Sequence, residues 1–165
     1  MSRSQSEGFT YLFVLILVAA LAGTLTIAAT QWSVIDQRKR EAGLLRSGAT
    51  IRSAIGAYYE SSPGTVKRYP PSLEALLRDE RYLAIRRHLR KIPLDPMTQQ
   101  SDWGLAIAPD GGVMGVYSRS SKSVFKTGNF SIVDKGLATG SSYSDWRFVY
   151  IPAAPSAPTS GALIR

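Results

Sequence analysis

The chain has 165 residues, a net charge of +8, one histidine and no cysteine. The missing thiols exclude disulfides, thiolate metal sites and a cysteine nucleophile together. The length admits one modest domain beside an N-terminal segment. The basic balance admits anionic lipid, nucleic acid or an acidic partner without specifying a fold.

Residues 1–8, MSRSQSEG, form a short polar leader in which Arg3 and Glu7 cancel. Residues 9–29 then carry no charged side chain. At about 1.5 Å per residue they would make roughly 30 Å of helix, the thickness of a bilayer's hydrocarbon core. A transmembrane or assembly helix is therefore expected over residues 9–31, with Trp32 suited to the membrane–water interface. A cleaved secretory signal is the competing reading, because Ala20-Leu21-Ala22 has the small-x-small form of a cleavage site. Apolar character persists past it through Leu25 and Ile27, which favours the uncleaved helix. Arg38, Lys39 and Arg40 just beyond the run pull the orientation the other way, since nearby basic residues favour the cytoplasmic side.

Over residues 32–62 the helix is expected to continue as an amphipathic segment. Leu44, Gly48, Ile51, Ile55 and Tyr58 recur at steps of three and four, one stripe along a helix. Ser61-Ser62-Pro63-Gly64 is the first convincing stop. Residues 9–60 would form one rod of roughly 75–80 Å. Gly43, Gly48 and Gly56 each weaken an isolated helix by up to about 1 kcal/mol relative to alanine, so the stripe is expected to lean on a globular domain.

That domain is expected over residues 63–151. Pro70-Pro71 keep the entry extended, Ser72 is a candidate N-cap, and Leu73, Leu76 and Leu77 give an apolar helical face. A second, basic helical stretch is expected around residues 82–90, with Leu83, Ile85 and Leu89 buried and His88 solvated among arginines. Residues 103–108 and 113–118, joined by Pro109-Asp110-Gly111-Gly112, read as a β-hairpin, which Ser123 to Phe125 would extend. Residues 143–151 read as a strand presenting Trp146, Phe148 and Tyr150 on one face. Residues 152–165, rich in Pro, Ala, Ser and Gly, read as a loose tail. Helices followed by an antiparallel sheet give an α+β domain.

Arg78, Arg81, Arg86, Arg87, Arg90 and Lys91 form the densest positive cluster. It reads either as a contact patch for nucleic acid, anionic headgroups or an acidic subunit, or as a solvated helix face partly neutralised by Asp79 and Glu80. Interleaved aromatics would strengthen the nucleic-acid reading, and Tyr82 stands alone there. Neither a nucleophile-elbow nor a P-loop pattern is present. The chain reads as non-enzymatic, with no catalytic residue, metal site or cofactor assigned.

The leader ending in Gly8, the Phe9-Thr10 junction, the apolar run and its amphipathic extension resemble the type IV pilin and type II secretion pseudopilin superfamily. Tyr69-Pro70-Pro71-Ser72-Leu73-Glu74-Ala75-Leu76-Leu77, Asp95-Pro96-Met97, Asp102-Trp103-Gly104-Leu105 and the segment from Gly112 to Ser118 are similar to patches of its major-pseudopilin group. The resemblance implies a pilin-like fold, a long N-terminal helix packed on a small antiparallel sheet domain. It also implies cleavage by a prepilin peptidase between Gly8 and Phe9, with methylation of the new N-terminal phenylalanine. Phe9, Thr10, Tyr11, Leu12, Phe13, Val14 and Leu15 would begin the membrane and assembly helix. Homologous pilin-like subunits, an inner-membrane assembly platform and the lipid bilayer would be partners, with a single pass through the inner membrane and the globular domain in the periplasm.

Two points of the resemblance bear on the subunit's role. Where the family usually has glutamate at the fifth mature position, this chain has Phe13, which removes a pairing with a neighbour's N-terminal amine and points to a minor or accessory subunit. The calcium that some major pseudopilins bind would need six to eight closely spaced oxygens, whereas Asp95, Asp102, Asp110, Asp134 and Asp145 are scattered and suit turns and caps. Two alternatives stay open: an exported soluble binding domain with a basic surface, released by ordinary signal peptidase, and a pseudopilin of a DNA-uptake system.

Overall fold

The computed structural model describes residues 5–128 and 130–152, with side chains described from residue 9 onward except for 21–32. Helix α1 spans Gln5–Glu60. It ends where Ser61 and Ser62 turn back to donate to the carbonyls of Ala57 and Tyr59, and Gly64 then adopts a φ of 80°. The chain divides into two compact units, Met1–Arg40 and Glu41–Arg165.

The second unit holds the core. Leu44, Ile51 and Ile55 are fully buried and Tyr58 nearly so, as the apolar stripe required. They join Leu76, Val113, Val116, Tyr143, Trp146 and Phe148 in one cluster, and each large apolar side chain so buried is worth about 2 kcal/mol. The glycines of the stripe have a packing reason. A Cβ at Gly48 would fall inside the ring of Phe148, and one at Gly56 would press on the ring of Tyr150. The helix gives up some intrinsic propensity so that two aromatic rings can lie close against its backbone.

The sheet is a three-stranded antiparallel meander, β1 (Gly104–Ile107), β2 (Val113–Tyr117) and β3 (Arg147–Val149), in the order β1-β2-β3. Gly104 pairs with Tyr117 and Val116 with Phe148, and the β1–β2 register shifts between Ala106 and Ile107. The hairpin turn forms at the expected place. Gly111 takes a φ of 84°, which a residue without a Cβ adopts freely, and Ala108 donates to the carbonyl of Gly112 at 2.8 Å. The expected extension at Ser123 is reduced to a single bridge with Ser142.

The pilin-like fold expected from the sequence is corrected on three counts. First, among the described residues no helix is long and apolar enough to cross a membrane, so a single pass through the inner membrane is not supported. Second, only the part of α1 from Glu41 onward belongs to the unit that holds the sheet, so packing of the whole expected spine on the sheet is not shown. Third, neither further α-helix forms. Residues 74–76 make only a 3₁₀ turn, Glu74–Leu76, whose cap is Leu73. Residues 82–90 are irregular, with Leu83 and Ile85 exposed and Leu89 alone buried. Two more 3₁₀ segments, Ile132–Thr139 and Tyr143–Asp145, lie before β3. Side chains of the leader and residues 153–165 of the expected tail lie outside the described residues.

Candidate functional site

The junction between Gly8 and Phe9 lies within α1. Phe9, Tyr11, Leu12, Phe13, Val14 and Leu15 are all substantially exposed, from 47% at Leu15 to 72% at Phe9. Ile16, Leu17 and Val18 continue in the same way. Consecutive residues on a helix point in all directions, so this stretch is apolar on every face. It is a surface that water does not favour, placed directly behind the junction.

The expected basic cluster does not act as one patch. Arg81 faces inward and ties the C-terminal end of α1 to the following segment. Its guanidinium sits 3.5 Å from the centre of the Tyr58 ring and donates to the carbonyl of Tyr58 at 2.9 Å and to Ser62 Oγ at 2.7 Å. It also grips Asp79 through two bonds, Nε to Oδ1 at 2.8 Å and Nη2 to Oδ2 at 2.7 Å. The Asp79 side chain is completely buried. The hydrogen bond from Arg81 holds its carboxyl far below the usual carboxylate range, against the opposing push of burial. The same bond raises the pKa of Arg81, and burial raises that of Tyr58.

His88, expected in solvent, belongs to this network. Its side chain is only 6% exposed, its Nε2 lies 3.1 Å from Asp79 Oδ2, and its ring meets the edge of Tyr58. Asp79 also donates its backbone N–H to the carbonyl of Arg86 at 2.8 Å, closing residues 80–85 into a loop. The sequence carried a signal for part of this. An aspartate two residues before an arginine can form a local turn in which its carboxylate accepts the arginine's own N–H, and Arg81 donates in that way to Asp79 Oδ1 at 3.1 Å. The long-range partners, Tyr58 and Ser62, had no such signal.

The remaining basic residues point outward. Arg78 pairs with Glu80 at 3.6 Å and Arg86 lies over the Tyr82 ring at 5.0 Å. Arg87, Arg90 and Lys91 are exposed. Beside the network, the loop after α1 and the β1–β2 turn border an open cleft of about 1010 Å³, lined by Tyr58, Tyr69, Lys67, Arg68 and Gly112 among others. Two of its polar groups are committed: Lys67 donates to the carbonyl of Glu60 and the Tyr69 hydroxyl to that of Tyr150.

The five aspartates weighed as calcium ligands work in five separate places. Asp95, fully buried, accepts from the Met97 N–H at 2.8 Å and the Ser118 hydroxyl at 2.6 Å. Asp102 pairs with Arg119, and Asp134 with Arg52. Asp110 accepts from the Gly112 N–H. Asp145 closes a capping box with Ser142, whose backbone N–H lowers its pKa. Among the described residues no group of three His, Cys, Asp or Glu side chains converges on one point. Sequence inspection missed one further acid: Glu41, buried on α1, accepts the Lys126 N–H at 2.8 Å.

No family model matches this chain, and no curated protein or solved structure does either.

Proposed function

We propose that the chain is a pseudopilin-like structural subunit of a type II secretion or related type IV filament system, matured by a prepilin peptidase between Gly8 and Phe9. The observation that carries this reading is the Gly8-Phe9-Thr10 junction set directly before a helical stretch whose apolar side chains are exposed on every face. Such a stretch gains roughly 1.5–3 kcal/mol for each large side chain it can bury. Homologous helices lying alongside it would supply that burial.

The work of such a subunit is mechanical. Apolar helices of neighbouring subunits bundle, an assembly platform drives their movement, and the second unit meets the next subunit or the cargo. Phe13 replaces the carboxylate that the family uses to pair a neighbour's N-terminal amine, which favours a minor or accessory place in the assembly. Phe13→Glu should then alter filament initiation; unaltered assembly removes the accessory reading while leaving the subunit reading in place.

Intact-mass and N-terminal analysis of the chain expressed with and without a prepilin peptidase tests the proposal. The expected product begins at a methylated Phe9 and depends on the peptidase. A mature chain beginning at Gly23, independent of the peptidase, overturns the proposal in favour of an exported soluble domain.

A further inference from the structure

The loop closed by Asp79 and Arg86 is built rigidly at its base and displays apolar side chains at its tip. The base combines the buried Asp79–Arg81 fork, the Asp79-to-Arg86 backbone bond and the Tyr82 hydroxyl donating to the carbonyl of Ser61. The tip carries Leu83, fully exposed, and Ile85, 63% exposed.

The charges of this segment also separate cleanly. Asp79 is satisfied by Arg81 and His88, and Glu80 by Arg78. Among the described residues, no ion pair engages Arg86, Arg87, Arg90 or Lys91. The result is an apolar tip on a segment whose exposed Arg87, Arg90 and Lys91 carry no ion pair among the described residues, with the base of the loop tied by those bonds.

We propose that this loop is a docking finger for a partner protein that offers an apolar pocket bordered by carboxylates. An apolar centre inside a polar rim is the anatomy of protein–protein interfaces, and arginine forks fit carboxylates with two bonds each. Pre-organisation removes the ordering cost that a mobile loop would meet on binding. A nucleic-acid or lipid surface is less well matched. Both are commonly met by available aromatic rings, and the one aromatic of the loop, Tyr82, is already engaged by Ser61 and Arg86. A second copy of this chain is disfavoured by its net charge of +8, since like-charged surfaces repel. The inference stands on the loop alone and holds whether or not the filament reading does.

Photo-crosslinking in the native cell tests it, with p-benzoylphenylalanine introduced in place of Leu83 in the full chain and, as a control, in place of exposed Val66. The expected result is a polypeptide adduct from position 83 and none of the same identity from position 66. Peptide mapping should place the adduct within an acidic segment of the partner. Combining the probe with Arg87→Glu and Arg90→Glu should lower the yield at least tenfold with an unchanged circular dichroism spectrum. If that pair impairs folding, Arg87→Gln with Lys91→Gln serves instead, with at least a threefold loss expected. An adduct with lipid, nucleic acid, a basic polypeptide or a second copy of this chain overturns the proposal. So does the absence of an adduct, or a yield indifferent to the charge changes.

Discussion

Asp79 is completely buried, yet Arg81, His88 and the Arg81 N–H all converge on it. Removing one partner of such a pair leaves a stranded charge, and the loss is typically about 3 kcal/mol or more. Arg81→Met should therefore destabilise the chain by roughly 3 kcal/mol in urea unfolding. Arg81→Met combined with Asp79→Asn should recover part of that loss, because the stranded carboxylate is gone. The folded pKa of Asp79 is depressed, so its contribution is complete above the unfolded value of about 3.9 and drains away as pH falls toward the folded one. Stability measured from neutral to acid pH should fall less steeply in Asp79→Asn than in the parent chain. Tyr150 has the opposite sign. Its hydroxyl donates to Glu60 at 2.7 Å, and that bond, helped by burial, pushes its pKa up to about 12. Its contribution is intact below the unfolded value of about 10 and is lost as pH rises through about 12. Ultraviolet titration of the tyrosines should show a smaller late-titrating fraction in Tyr150→Phe than in the parent chain, because Tyr58 and Tyr69 are also raised.

At the scale of elements, the helix stripe and the sheet meet through glycine. Helix propensity alone predicts that Gly48→Ala stabilises α1 by up to about 1 kcal/mol. The contact with the buried Phe148 ring predicts the reverse, since overpacking a filled core costs about 1–3 kcal/mol. Thermal unfolding of Gly48→Ala should show a lower midpoint. Gly128→Ala, where nothing lies near the added methyl, should leave it nearly unchanged. The loop that replaces the expected basic helix has an equally local origin. Leu83, Ile85 and Leu89 do not share a helical face that the core could cover, and only Leu89 is buried. The Leu89 and His88 N–H groups both donate to the carbonyl of Leu76, outside any helical ladder. Tertiary hydrogen bonding won over a propensity worth only tenths of a kcal/mol per residue.

For the whole molecule, the two units predict separable behaviour. Every buried apolar residue described lies at or beyond Leu44. A chain lacking residues 1–32 should keep the second unit folded. Its urea unfolding, followed by the fluorescence of Trp103 and Trp146, should remain a single cooperative transition. Loss of that transition would show that the core needs residues ahead of Glu41.

Much of the second unit was legible in the sequence because its signals are periodic and local. The stripe from Leu44 to Tyr58, the Pro109–Gly112 turn and the Trp146, Phe148 and Tyr150 alternation each report which face is buried, and burial is what periodicity encodes. The same periodicity misled over residues 72–90, where a few leucines among arginines fit a helix that no long-range partner supports. The Gly8-Phe9-Thr10 junction was likewise plain as a string of letters, and what processes it is a matter for the mass of the mature chain. The tertiary structure alone decided that Arg81 and His88 turn inward to a buried Asp79 while their basic neighbours stay in water. A fully buried carboxylate must find its hydrogen-bond donors where it lies, and the residues that supply them are chosen by proximity in the folded chain, which spacing along the sequence does not record.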